Sequence, residues 1–244
     1  MRKDRFYVKD IEKKIIDDPS LIHKIRNVLR KRKGEPIFLF DGKGCEYKAL
    51  ISKFRSQRIE LERIELVKKL TPIFRLSLGF SLLKSKRSDF IFQKATELGV
   101  SEFIPLVYEN AVVRKLASAK LEHFKRIIVE SASQSGRLFI PEIRELSEFP
   151  ELIKKIKFWD IILVALPYSS FSVRDLFKAN LLDKGKNILL LVGPEGGFSS
   201  QELEELRAID SVYFVNLSIF TLRAETASIF LVGLVSSLLN RDED

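Results

Sequence analysis

The chain has 244 residues, 45% of them apolar, which is enough to bury a core and excludes a wholly disordered protein. The single cysteine, Cys45, excludes a disulfide framework within the chain, and with only two histidines no Cys- or His-based metal site is expected. The net charge is +9, all of it in residues 1–70: these hold 20 Lys and Arg against 11 Asp and Glu, whereas residues 71–244 hold 22 of each.

This charge asymmetry predicts that residues 1–70 bind a polyanion such as the phosphate backbone of RNA. A basic surface that serves only solubility is the alternative. Residues 1–20 carry charges throughout and lack the apolar segment of a secretory signal. The longest apolar stretch, Ala227–Leu239, is too short and too interrupted by serines to span a bilayer. We therefore expect a soluble, cytoplasmic protein that is not bound to a membrane.

The first 70 residues predict a small β-rich domain with one helix. Apolar residues in Leu21–Leu29 recur at helical spacing, whereas later segments alternate apolar and polar residues as half-exposed strands do. The turn Asp41–Gly44 is of the kind that joins two strands of a hairpin. Closely spaced strands with glycine turns are typical of a small barrel. The predicted strands are Pro36–Phe40, Tyr47–Phe54 and Arg58–Val67.

From residue 71 onward, predicted strands alternate with helices. This alternation predicts an α/β domain over residues 71–244, with a mostly parallel sheet covered on both faces. Asn187–Val192 is almost entirely apolar, as a strand buried on both faces is. The other predicted strands are Ile73–Phe80, Phe103–Val107, Ile161–Leu166 and Val212–Leu217. The predicted helices are Asp89–Leu98, Leu121–Ser133, Val173–Phe177, Gln201–Ala208 and Ala224–Leu239.

The most informative loop, Gly193-Pro194-Glu195-Gly196-Gly197, follows the apolar strand directly. In parallel α/β sheets, ligands bind at the carboxyl ends of the strands, and glycines let the backbone approach them closely. The loop lacks the lysine and the glycine spacing of phosphate-binding motifs, and the helix after it opens with an acidic first turn that disfavours phosphate. The loop therefore indicates either a site for a neutral or cationic ligand or a tight structural turn.

A second candidate site lies in the stretch Leu217–Ala227. Arg223 and Glu225 flank the start of the last predicted helix, at the carboxyl edge of the same sheet. An arginine there is able to bind a phosphate or position a base, and a carboxylate is able to accept a proton or offset a cationic sulfonium. The structural alternative is a glutamate that favours the helix dipole beside a surface arginine.

Several polar residues predict helix ends. Ser88 and Gly99 are expected to begin and end the helix Asp89–Leu98. Within that helix, Lys94 and Glu97 are three residues apart and are expected to form an exposed ion pair. After the glycine loop, Ser199 or Ser200 is expected to cap the next helix. The stretch Ser133–Arg137 is a polar helix end that contains Gly136.

Four of these stretches occur in the same order in the ribosomal small-subunit methyltransferase E family of the trefoil-knotted SPOUT superfamily. The chain resembles this family over essentially its full length, and the pairing of Gly-Pro-Glu-Gly-Gly with Leu-Arg-x-Glu-Thr is the most specific part. Upstream, Val28–Gly34 and Phe40–Gly42 look like the N-terminal barrel of the family. The four stretches are Gln93–Val100, Gln134–Glu142, Val192–Gly197 and Leu222–Ala227.

The resemblance implies a knotted, parallel-sheet methyltransferase domain over residues 71–244 and a PUA-like, RNA-docking β-barrel over residues 1–70. It implies S-adenosylmethionine bound in the knot, and methylation at N3 of a uridine in 16S ribosomal RNA of the small subunit. It also implies a homodimer through the last helix, Ala224–Leu239, which is apolar on nearly all sides. No metal is expected, because a sulfonium already activates the methyl group.

The resemblance also implies particular site residues. Glu225 is expected to orient the base or take its proton, and Arg223 to stabilise the uridine oxyanion or hold a phosphate. The family usually has Gly and Arg where this chain has Ser218 and Phe220. The expected cofactor contacts are Leu166, Pro167, Gly193, Pro194, Glu195, Gly196, Gly197, Leu217, Ser218, Thr221 and Leu222. The expected RNA contacts are Arg26, Arg30, Lys31, Arg32, Lys33, Lys94 and Arg137.

Three other functions compete with this one. A non-catalytic RNA-binding or ribosome-assembly protein would lack a cofactor pocket. A knotted methyltransferase that acts on a different RNA nucleotide would share the motifs, because target choice depends on RNA shape read by a dispersed surface. An unrelated nucleotide-binding α/β enzyme is disfavoured, since the phosphate motifs are missing.

Overall fold

The computed structural model describes residues 4–178, 182 and 185–239. The chain divides into two compact units. The first contains residues up to Pro72 together with Ala132–Ile140, and the second contains Ile73–Ser131 and the residues from Pro141 onward. The sequence predicts two continuous domains, residues 1–70 and 71–244, and the segment Ala132–Ile140 departs from that division.

The segment Ala132–Ile140 belongs to the first unit for a packing reason. Leu138 and Ala132 are buried in one cluster with Phe40. The backbone is held as well, because the Gly44 N–H donates to the Leu138 carbonyl at 3.0 Å. A cluster between residues so far apart in sequence leaves no local pattern, so the sequence pattern alone predicts that this segment belongs to the second domain.

A five-stranded sheet forms the first unit, in the order β1-β3-β4-β5-β2. β1 runs parallel to β3, and the other neighbours are antiparallel. The predicted hairpin turn is confirmed: the Asp41 carboxylate accepts hydrogen bonds from the N–H groups of Lys43 and Cys45, at 2.8 and 3.0 Å. The strands are β1 Arg5–Tyr7, β2 Ile15–Ile16, β3 Pro36–Phe40, β4 Cys45–Phe54 and β5 Ile59–Lys69.

The predicted helix of the first unit consists of two elements. α1 covers Pro19–His23, and a π-helical segment, Lys24–Val28, continues it. Asp18 caps α1 by accepting a hydrogen bond from the Leu21 N–H at 3.0 Å. Ile22 of α1 and Ile25 of the π-helical segment are buried and pack into the core of this unit.

The second sheet has the order β11-β13-β10-β12-β6-β7-β8, with β9 paired to β7. Every pairing among these described strands is parallel, which confirms the predicted α/β fold. The apolar run of β12 is buried between β10 and β6. The strands are β6 Arg75–Ser81, β7 Glu102–Val107, β8 Glu142–Ile143, β9 Ser147–Glu148, β10 Ile161–Ala165, β11 Phe171–Ser172, β12 Asn187–Val192 and β13 Val212–Asn216.

The last helix packs against β6, β12 and the first long helix of the second unit. Gly99 follows that first long helix and has φ +111°. It lies close to the last helix, because a Cβ atom on it would be 2.9 Å from the Ser236 hydroxyl. The helices are α2 Arg87–Glu97, α3 Ser118–Ser135, α4 Phe149–Ile153, α5 Val173–Lys178, α6 Ser200–Arg207 and α7 Ala224–Leu239.

Three of the four predicted helix ends are confirmed. Gly99 follows the end of α2, Ser199 caps α6, and α3 ends at Ser135, just before Gly136. The prediction that Ser88 caps α2 is wrong, because the helix begins one residue earlier and Ser88 lies buried in its first turn. The Ser88 hydroxyl instead accepts from the Leu83 N–H at 2.8 Å and donates to the Leu83 carbonyl at 3.1 Å.

Candidate active site

A cavity of about 660 Å³ lies at the carboxyl ends of β10, β12 and β13. The loops that follow these three strands form its walls, and this is the edge of a parallel sheet where ligands bind. Ala165, Phe198, Asn216 and Phe220 are among its lining residues. It is also lined by ten of the eleven residues expected to contact a cofactor: Leu166, Pro167, Gly193, Pro194, Glu195, Gly197, Leu217, Ser218, Thr221 and Leu222.

The glycine loop is held by an aromatic side chain of its own. A Cβ atom on Gly193 would lie 3.0 Å from the Phe198 ring, so the loop closes over that ring only because position 193 has no side chain. The Phe198 ring in turn meets Tyr108 edge to face, with ring centroids 5.3 Å apart. At Gly197, φ is +75° and the N–H donates to the Pro194 carbonyl at 2.9 Å. These contacts give the cavity wall a fixed backbone.

Gly196 is the one expected cofactor contact that does not line the cavity. A Cβ atom on it would lie 3.0 Å from the Asn110 side chain. The Asn110 amide donates to the Gly196 and Gly197 carbonyls, at 3.4 and 3.2 Å. Gly196 therefore positions the loop against the segment after β7 rather than facing the cavity.

The wall between β13 and α7 is organised by short polar side chains. The Asn216 side-chain oxygen accepts from the Ser218 N–H at 3.3 Å, and the Ser218 hydroxyl accepts from the Phe220 N–H at 3.1 Å. The Tyr168 hydroxyl lies 3.4 Å from the Thr221 hydroxyl and connects this wall to the loop after β10. The serine at position 218 thus has a local structural role that a glycine could not fill.

The two candidate catalytic residues lie at the start of α7. Arg223 lines the cavity, immediately before the helix, and is exposed. Glu225 is half-buried in the first turn, and within the described part of the chain its Oε2 atom is buried without a hydrogen-bond partner. A buried carboxylate oxygen without a partner is costly unless it has a function or a ligand.

Arg87 is a further charged residue of the cavity, and it forms an ion pair with Glu195 of the glycine loop. The hydrogen bond to Glu195 raises the pKa of Arg87 above its usual value, and the charge of Glu225 acts in the same direction. One guanidinium therefore lies near the carboxylates of both the glycine loop and α7.

Sequence reasoning missed Arg87, Phe198 and Asn110. Arg87 begins the helix that follows β6, so it lies at the same carboxyl edge of the sheet as the motif loops. The position of Arg87 at this edge could have been predicted from the alternation of strands and helices in the sequence. Asn110 lies 86 residues before Gly196 and 87 residues before Gly197, so no local pattern in the sequence indicates its contact with the glycine loop.

The residues expected to contact RNA differ in their availability. Arg30, Arg32 and Lys33 are exposed in the first unit. Arg26 is engaged within that unit: it donates to the Arg55 carbonyl, and its guanidinium lies 5.1 Å from the centroid of the Phe54 ring. Lys31 and Arg137 are partly buried, and burial lowers the pKa of Arg137 to about 10.

Lys94, the expected RNA contact in the second unit, forms the predicted ion pair with Glu97 at 3.0 Å. Among the described residues, no group of three or more His, Cys, Asp or Glu side chains is placed to bind a metal ion. No helix formed by these residues has the length and apolar character that crossing a membrane requires.

Comparison with known proteins shows which class of protein domain this arrangement belongs to. A family model described as "RNA methyltransferase domain" matches residues 69–236, which include β6 to β13 and the whole cavity. A parallel sheet with loops that enclose a cavity at its carboxyl edge is thus the framework of an RNA methyltransferase domain in this chain.

Relatives narrow the class. The chain is 29% identical to ribosomal RNA small subunit methyltransferase E of Bacillus subtilis, over 95% of each chain. It is 31% identical to the protein of the same name from Mesomycoplasma hyopneumoniae, over 66% of this chain and 69% of that one. A solved structure of methyltransferase E from Neisseria gonorrhoeae bound to S-adenosyl methionine is 27% identical, with a TM-score of 0.80 over 97% of this chain and 98% of that one. The chain belongs to the ribosomal RNA small subunit methyltransferase E family.

Proposed function

We propose that this chain transfers a methyl group from S-adenosylmethionine to N3 of a uridine in 16S ribosomal RNA of the small subunit. The observation that carries the proposal is the cavity of about 660 Å³, because its lining brings the glycine loop together with Arg223 and Ala224 at the start of α7; Glu225 follows these two residues and is not itself in the lining. The bound cofactor of the Neisseria gonorrhoeae relative supports the choice of methyl donor. A non-catalytic RNA-binding protein would have no need for such a cavity.

The lining of the cavity fits S-adenosylmethionine. Apolar side chains such as Leu166, Leu217 and Leu222 suit an adenine ring, and the ends of three strands offer backbone N–H and C=O groups. Glu195 and the nearby Glu225 supply negative charge for a sulfonium.

In the proposed reaction, the bound cofactor supplies a methyl group that its sulfonium already activates. N3 of uridine carries a proton at neutral pH, so the protein must help to remove it. Glu225 is the proposed proton acceptor, since its buried oxygen has a lone pair that no described residue uses. Arg223 is proposed to stabilise the negative charge that develops on the uridine oxygens. Arg87 holds Glu195 in place at the cavity wall.

Three structural features belong to the same proposal. The first unit is proposed to be a PUA-like barrel that docks RNA through Arg30, Lys31, Arg32 and Lys33. The second unit is proposed to contain the trefoil knot of its superfamily, formed by the chain around β12 and α7. A homodimer is proposed to form through α7, and the 46% exposure of the Phe230 side chain supports an apolar contact there.

The first experiment locates the cofactor by calorimetric titration with S-adenosylmethionine. Ala165→Phe adds a ring to the end of β10 inside the cavity and should abolish saturable binding. Ala208→Phe makes the same change at the exposed end of α6 and should bind like the wild type. Loss of binding in both variants, or in neither, would contradict this site.

The second experiment identifies the product. The protein is incubated with S-adenosylmethionine and either a 16S ribosomal RNA transcript or an assembled small subunit, and the RNA is then digested to nucleosides for mass spectrometry. The proposal expects 3-methyluridine in at least one of the two substrates. Another methylated nucleoside would identify a methyltransferase with a different target. Cofactor binding without any RNA methylation would favour a non-catalytic role.

A further inference from the structure

Two aromatic side chains stand exposed at the cavity, on two different loops. Tyr168, in the loop after β10, is 85% exposed, and Phe220, in the loop between β13 and α7, is 73% exposed. Phe220 lines the cavity, and Tyr168 follows the lining residue Pro167 directly. Large aromatic rings are seldom left this open to water without a ligand to cover them.

The backbone is well defined at both aromatic positions. Tyr168 has φ +63°, a conformation uncommon for residues other than glycine, and its hydroxyl lies 3.4 Å from that of Thr221, the neighbour of Phe220. The Phe220 N–H donates to the Ser218 hydroxyl at 3.1 Å. The two aromatic positions are thus linked to each other and to a defined turn, so little backbone entropy would be lost when a ligand covers the rings.

We propose that Phe220 and Tyr168 form a stacking surface for unpaired bases of the RNA substrate, next to the nucleotide that enters the cavity. This inference rests on the proposed function. Every base has a π face that stacks on an aromatic side chain, so such stacking does not depend on the RNA sequence. Proteins that recognise single-stranded RNA use such rings. The exposed guanidinium of Arg223, which lines the same cavity as Phe220, adds a positive charge near these rings, and this charge favours a polyanionic ligand.

A second copy of this chain is the competing occupant of the same rings. The position of Phe220 in the cavity lining favours RNA, because a protein subunit packed on this ring would also cover the opening that the target base must use. The neighbouring charges favour RNA as well, since charged residues are depleted in the cores of protein interfaces. The experiment separates the two occupants.

The test uses the full chain and a 16S ribosomal RNA transcript. Phe220→Ala and Tyr168→Ala remove one ring each, Phe220→Trp keeps a ring, and Phe158→Ala is the matched control. Phe158 is 48% exposed and lies just before β10, at the end of that strand opposite to the cavity. RNA affinity is measured by fluorescence anisotropy, methyl transfer in a single turnover, cofactor affinity by calorimetry and mass by sedimentation equilibrium.

Each alanine variant is expected to bind the transcript roughly 5- to 150-fold more weakly, the range that loss of one base–aromatic stack gives. Phe220→Trp and Phe158→Ala should bind like the wild type, and cofactor affinity should change far less than RNA affinity. A 2-aminopurine placed beside the methylated nucleotide should be quenched by the wild type and not by Phe220→Ala.

Unchanged RNA affinity in both alanine variants would overturn the stacking surface, provided that the wild type methylates the transcript. A fall in mass from dimer to monomer in Phe220→Ala or Tyr168→Ala would overturn it too, because the rings would then belong to a subunit contact. If the wild type does not methylate the transcript, the same variants are compared on the assembled small subunit, and absence of methylation of both substrates would instead count against the proposed function itself.

Discussion

The two units of this chain differ in what their side chains offer. The first 70 residues carry the entire charge excess of the protein, with 20 Lys and Arg against 11 Asp and Glu. The second unit contains the cavity and a sheet of parallel strands, and residues 71–244 hold equal numbers of both charges. Under the proposed function, long-range attraction of a polyanion and a shaped site for chemistry therefore belong to different parts of the chain.

If this division holds, changes in one unit should affect one property and spare the other. The largest effect should come from Glu225→Gln in the second unit, which keeps the shape of the side chain and removes its basicity. We expect the single-turnover rate of methyl transfer to fall roughly 10²- to 10⁴-fold, the usual contribution of a general base. Cofactor affinity and RNA affinity, measured by calorimetry and anisotropy, should stay near those of the wild type.

The matched control for this variant is Gln201→Glu, a change between the same residue types at an exposed position of α6. It should turn over like the wild type. Full activity of Glu225→Gln would remove Glu225 from the proton transfer. A parallel loss of RNA affinity would show that the carboxylate serves binding as well, and the two units would then be less separate than their charges indicate.

The converse test neutralises three exposed cations of the first unit: Arg30, Arg32 and Lys33, each to Gln. Log affinity for RNA falls as log salt concentration rises, and this slope should become less steep by about two to three, because roughly one counterion is released per phosphate contact. Cofactor affinity should not change. The control replaces three exposed lysines of the second unit, Lys154, Lys155 and Lys157, by Gln. Equal slopes in both variants would contradict a docking role specific to the first unit.

The fold of the second unit could largely be predicted from the sequence, because each of its five longer strands has a local signal, whereas the two-residue strands β8, β9 and β11 were not predicted. The apolar run Asn187–Val192 predicted a strand buried on both faces, and β12 has these bounds and lies between β10 and β6. Ala224–Leu239 was likewise predicted with the bounds of α7. The segment Ala132–Ile140 was assigned to the other unit, since its place depends on Phe40, far away in sequence.

The candidate site was predictable to the extent that motifs lie at strand ends. Ten expected contacts line the cavity because all follow β10, β12 or β13, whose carboxyl ends meet at one edge. Gly196 belongs to the same motif but faces Asn110, and only the turn geometry decides which glycine faces which way. The role of Ser88 was missed for a similar reason: its hydroxyl binds Leu83, before the helix, instead of the helix end.

The packed sheet of the second unit should be far less tolerant of substitution than the exposed strand end of the first. A Cβ atom on Gly79 of β6 would lie 2.5 Å from the Leu191 side chain and 3.2 Å from that of Leu106. We therefore expect Gly79→Ala to lower the free energy of unfolding by about 1–3 kcal/mol through overpacking.

Urea unfolding followed by Trp159 fluorescence measures this change, since Trp159 is the only tryptophan and is buried in the second unit. Val67→Ala, at the exposed end of β5, should change the unfolding free energy by less than about 0.5 kcal/mol. A Gly79→Ala protein as stable as the wild type would mean that Leu191 adopts another rotamer at no cost, and that the sheet is less tightly packed than its contacts indicate.

The smallest expected effect concerns the end of the glycine loop. The Ser199 hydroxyl accepts from the Glu202 N–H at 3.3 Å, and the Glu202 carboxylate accepts from the Ser199 N–H at 2.8 Å, so one capping box joins the loop to α6. Ser199→Ala should cost about 1 kcal/mol of stability, and Ser200→Ala, at the exposed first position of the helix, close to none.

Because the same loop forms the cavity wall, the cofactor affinity of Ser199→Ala should fall more than that of Ser200→Ala, whereas RNA docking by the first unit should be equal in both. A loss of RNA affinity confined to Ser199→Ala would show that the glycine loop, and not the basic unit alone, contributes to holding the RNA.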